Sequence, residues 1–134
     1  MLKLTYTETA FHMERLTQSP EQLVSLRVQL AMRVGQSILV EPSSAAFLLP
    51  RHLPMLPMLE DALRQHNSDA IAMSIADAES VEVSLTGTWI TCDLDAEEEN
   101  GIFITVLDEY TEKLLFTLWQ EAYIGASFSV NSEQ

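Results

Sequence analysis

At 134 residues with 47% hydrophobic content, the chain has the length of one domain whose core needs no covalent staples. Its net charge of −13 lies wholly in the second half: residues 1–64 hold six acids and six bases, whereas 65–134 hold fourteen acids and one base, Lys113. Such a balance repels polyphosphates and anionic lipid and attracts basic polypeptides or cations, so neither nucleic acid nor a membrane is an expected partner.

Leu2, Leu4 and Tyr6 alternate with polar residues, as a half-buried strand does. The apolar set then moves to Phe11 and Met13, which requires a turn or bulge near residues 8–10. Ser19-Pro20-Glu21-Gln22 is a helix-start pattern, yet Val24, Leu26, Val28, Leu30, Met32 and Val34 then alternate strictly. A helical stripe also runs through Leu23, Leu26, Leu30 and Val34. The longer alternation predicts one helical turn at about 20–24 feeding a strand.

Gly35 permits a turn. Ile38 to Val40 predicts a strand ending before Pro42, and Ser43-Ser44 a second turn. Ala45 to Leu49 predicts a short strand stopped by Pro50. Three prolines stiffen residues 50–57, and a helix follows over about 57–66 with Leu56, Leu59 and Leu63 on its face. Strands are predicted at Ile71–Ile75, at Val81–Leu85 with Trp89 in phase, and at Ile102–Val106. A polar connection holding five acids, Asp93 to Asn100, precedes the last of these. Asp108 and Glu109 open a helix over about 109–123, with Leu114, Leu115, Leu118, Trp119 and Ala122 on its face. The expected organisation is one domain over 1–126 and a loose tail over 127–134. Its class is α+β: an antiparallel meander with two main helices packed on it.

Few residues carry chemistry. Asp93, Asp95 and Glu97 resemble the start of a calcium loop, but Glu98 and Ile104 stand where such a loop needs Gly and a bidentate Glu. His12, His52 and His66 show no metal-ligand spacing, and no nucleophile elbow or phosphate-cradling glycine loop is present. Single Cys92 excludes an intrachain disulfide and suits a reducing compartment. The alternating N-terminus and the lack of an apolar run of about 18 residues point to a cytoplasmic protein with no signal peptide or membrane span. No metal, cofactor or catalytic residue is expected.

What remains is interaction. Arg27 and Arg33, read on one strand face and balanced by Glu14 or Glu41, are candidate partner-binding residues. So are Met55 and Met58, as an adaptable apolar contact, and Trp89, as an anchor; Trp119 reads as core. Leu26–Val34 or Ser127–Val130 offers an edge for an added strand, toward which acidic charge steers a basic or amphipathic tail. The competing reading is a small-molecule or metal-binding sensor or enzyme that uses His12, His52, His66 and Cys92.

Leu2-Lys3-Leu4-Thr5-Tyr6-Thr7, Phe11-His12-Met13-Glu14, Arg33-Val34-Gly35-Gln36-Ser37, Val40-Glu41-Pro42-Ser43-Ser44 and Phe47-Leu48-Leu49-Pro50 together resemble small acidic cyanobacterial proteins. Within that group the chain is similar to the CcmS family of carboxysome-assembly chaperones, over residues 2–50. That resemblance implies a non-enzymatic homodimer that binds the C-terminal extension of a shell protein. It carries over no binding residue.

Overall fold

Alternation at Leu2, Leu4 and Tyr6 builds strand β1 (Leu2–Tyr6), which lies between β2 (Phe11–Arg15) and β6 (Gly101–Thr105) in the computed structural model. The structure describes residues 1–7, 11–66, 69–92 and 100–122. One antiparallel sheet runs β2-β1-β6-β5-β3, with β5 spanning Ser80–Thr91 and β3 spanning Leu39–Pro50. Strand β5 pairs with β3 along its whole length, from Leu39↔Thr91 to Pro50↔Ser80. Its other side is shared end to end, by β4 (Ile71–Ile75) against Val81–Leu85 and by β6 against Thr88–Ile90.

Because side chains alternate across a strand, the sheet has two apolar faces. Leu2, Leu4, Met13, Phe47, Leu49, Val81, Val83, Leu85 and Phe103 form the larger one, covered by α2 (Leu56–His66) and α3 (Glu109–Ala122). Ile90, Ile102 and Ile104 face the other way and lie under Leu23 of α1 (Pro20–Arg33). Phe11 on β2 meets Phe47 on β3 with ring centroids 6.1 Å apart. Those strands stand four places apart, roughly 19 Å across a flat sheet, so the sheet curls tightly around the larger core.

Three expectations need correction. Residues 24–33 are helix, not strand, and Val34 caps its end. Ser19 Oγ accepts from the Gln22 N–H and Gln22 Oε1 accepts from the Ser19 N–H, both at 3.2 Å, a complete capping box with Pro20 in the first turn. Burial then recurs at helical spacing, with Leu23 and Ala31 buried and Val24, Arg27 and Val28 half-buried, while Leu26, Leu30, Met32 and Val34 are exposed. The helix ends where Gln36 N–H donates to Ala31 O and Gly35 N–H to Met32 O, with Gly35 at φ 77°. Second, β3 passes through Pro42 and Ser43-Ser44 without a turn. Third, β6 stops at Thr105 with Val106 exposed beyond it, and it is buried on both faces, Phe103 and Thr105 as well as Ile102 and Ile104, because helices cover both sides. The expected bulge at 8–10, the acidic connection 93–99 and the tail lie outside the described residues.

Helix α3 begins as its acids foretold. Asp108 Oδ1 accepts from the Thr111 N–H at 2.8 Å and Oδ2 from the Thr111 hydroxyl at 3.1 Å. The backbone hydrogen bond from Thr111, aided by its hydroxyl and the nearby His66, holds the Asp108 carboxyl below its usual range. Asp108→Ala is expected to cost about 1 kcal/mol at neutral pH in urea unfolding. A carboxyl depressed by folding contributes above the ordinary carboxylate pKa, and the contribution fades as pH falls through the lowered value. The gap between the two proteins therefore narrows in acid.

Candidate partner-binding edge

Strand β3 pairs on one side only; among the described residues nothing pairs with the other. Its direction-setting residues can be read from the hydrogen bonds around β5. Thr86, opposite Ser44, donates its N–H to Ala70 O and accepts the Thr105 hydroxyl at its carbonyl, both on the side of β5 away from β3. Ser44↔Thr86 is therefore a pair with no bond between the strands, and Ser44 turns its backbone groups outward. By alternation so do Val40, Pro42, Ala46, Leu48 and Pro50. Both prolines thus place their nitrogens on the free side, where no ladder bond is lost. That explains why the strand does not break at Pro42. Val40, Ser44, Ala46 and Leu48 are left as outward N–H donors.

Side chains of these residues lie on the α1 side of the sheet, and Val40, Ser44, Ala46 and Leu48 are all exposed. Leu39, Glu41 and Ser43 alternate onto the opposite face, also exposed. Glu41 is the strand's one charge and stands directly across from Trp89. The half-buried indole of Trp89 lies over Gly101, where a Cβ would overlap the ring, and tilts against Tyr6 at 5.8 Å between centroids. Tyr6 stacks on Phe11 at 5.3 Å. Burial pushes the Tyr6 phenol up to about 12, which removes it from proton transfer near neutral pH.

Of the expected binding residues, Trp89 adjoins the free strand. Arg27 and Arg33 do not share a strand face: they lie on α1, six residues and so roughly 120° apart around the axis. Glu14 ion-pairs with Lys3 at 3.3 Å, not with either arginine. Met58 is exposed on α2, while Met55 packs half-buried against the core and Trp119 is fully buried. His12, His52, His66 and Cys92 fall on β2, after β3, at the end of α2 and just beyond β5. Among the described residues no three His, Cys, Asp or Glu side chains gather to hold a metal. A shallow cleft of about 580 Å³ lies where β3 ends, lined by Leu49, Pro50, Arg51, His52, Glu79 and Ala122 among others.

Sequence reasoning placed the edge at Leu26–Val34, which is helix, or at Ser127–Val130, outside the described residues. The equal parity of Pro42 and Pro50 was the signal for β3. No described helix is long and apolar enough to cross a membrane. The chain matches no curated protein and no solved structure. The Alr0857-like family model matches residues 1–123, in keeping with the cyanobacterial resemblance, and the chain belongs to that family.

Proposed function

We propose that this chain is a protein-interaction module that captures an extended segment of a partner as an added strand on the free side of β3. The supporting observation is the edge itself: twelve residues, unbulged, with outward donors at Val40, Ser44, Ala46 and Leu48. Sheet edges are ordinarily guarded by charge, proline, bulges or shortness. Here Glu41 and Pro42 guard one end, and Ser43–Leu49 carries no charge. Main-chain bonds would supply affinity, and exposed Val40, Ala46 and Leu48 would supply side-chain contact.

The finer reading is an assembly chaperone, a cytoplasmic homodimer that holds the C-terminal extension of a carboxysome shell protein. Membership of a family with a cyanobacterial name supports that setting. Exposed Leu26, Leu30 and Val34 on α1 leave apolar surface for a second copy.

A synthetic peptide of such an extension provides the test. On binding, the Ser44, Ala46 and Leu48 amides should become protected from hydrogen exchange. Ala46→Pro puts a ring on the outward nitrogen and leaves the β5 ladder intact. It removes one donor and sets the ring against the incoming backbone, so binding should weaken at least about tenfold, more than the roughly 1 kcal/mol of the single lost bond. Protection of other amides alone, with Ala46→Pro binding normally, would refute the proposal.

A further inference from the structure

We infer, resting on the strand-addition reading, that the captured segment carries a lysine or arginine directly opposite Glu41. Glu41 is the single charge on β3, is exposed, and has no ion-pair partner among the described residues. A strand added to the free side places one side chain across from Glu41 on the same face, at the spacing where opposite charges attract and like charges repel. Trp89 is next along that line but its indole is directed over Gly101 on β6, so the carboxylate is the group that answers the added side chain.

Long-range charge favours the same occupant. Leu39 pairs with Thr91, and the connection that follows β5 carries Asp93, Asp95, Glu97, Glu98 and Glu99. The first of these acids follows Thr91 by two residues in sequence, so the chain beyond this end of the β3–β5 pair adds negative charge that favours a cationic segment. A second copy fits less well. It brings a further net charge of −13, and its β3 has no cation to answer Glu41.

Two synthetic twelve-residue strands of alternating Thr and Val, identical except for Lys or Glu at position ten, which faces Glu41 when the strand pairs antiparallel along the whole of β3, separate the possibilities by fluorescence anisotropy at low salt. Native protein should bind the Lys strand roughly two- to five-fold tighter than the Glu strand. Glu41→Lys should reverse that order. Ala46→Pro should lose both strands, and Leu48→Lys, which guards the edge without touching the β5 ladder, serves if that variant folds poorly. A Lys preference that persists in Glu41→Lys overturns the role of Glu41 while strand addition stands. Binding of both strands unchanged in Ala46→Pro and Leu48→Lys overturns strand addition itself, as does failure of both strands to bind. A dimer seen by light scattering that Ala46→Pro converts to monomer identifies a second copy as the occupant, and overturns the basic-segment assignment.

Discussion

Glu112→Ala should destabilise the fold by about 3–5 kcal/mol, the loss typical when one member of a buried ion pair is removed. Glu112 sits in the first turn of α3 with its carboxylate almost sealed from solvent. One oxygen lies 3.0 Å from the Met1 ammonium, itself nearly buried, and the other accepts from Arg15 Nε at 3.1 Å. Truncation leaves the ammonium buried without a counter-charge, while half-exposed Arg15 can turn to water. Glu112→Gln keeps the volume and removes the charge, so a comparable loss from both variants attributes the cost to the charge rather than to a cavity. Urea unfolding at neutral pH checks it, and a native midpoint in Glu112→Ala would contradict this account. The triad ties the start of β1, the end of β2 and the start of α3 together, far along the chain yet at one end of the sheet.

Gly87→Ala is the second large effect. Gly87 stands inside β5, between Leu85, the last residue paired with β4, and Thr88, the first paired with β6. At this handover the β6 backbone approaches so closely that an added Cβ would overlap the Ile104 carbonyl oxygen and come 2.9 Å from the Phe103 ring. A backbone oxygen held in a ladder cannot swing aside as a side chain can. The expected cost is about 3 kcal/mol, at the upper end of overpacking effects. Loss should appear in the denaturation midpoint and in slower hydrogen exchange becoming fast at Ile102 and Ile104. A melt indistinguishable from the native one would show that β6 shifts without penalty.

Strands whose apolar residues alternate against polar ones were legible because one face of each meets a core: β1 and the first half of β5 follow their patterns, and β4 does so at Ile71 and Met73 while Ile75 at its end is exposed. Helix α3 was legible from its acids and its stripe of Leu114, Leu115, Leu118 and Trp119. The failures have a common cause. Over 24–34, alternation and a helical stripe coexist, and only the capping box and the cover α1 gives Ile90, Ile102 and Ile104 decide between them. Pro42 read as a stop because a proline breaks a ladder paired on both sides, and chain order does not say which strand lies at an edge.

Charge division, the alternation of β1 and the start of α3 follow from the residues alone, because each is a property of composition or of neighbours a few positions apart. Which side of β3 is left unpaired, how Glu41 comes to face Trp89, and why Glu112 must answer Met1 and Arg15 were decided only on folding. Those relations join residues tens of positions apart, and they exist only once the sheet has fixed its order and curled around its core.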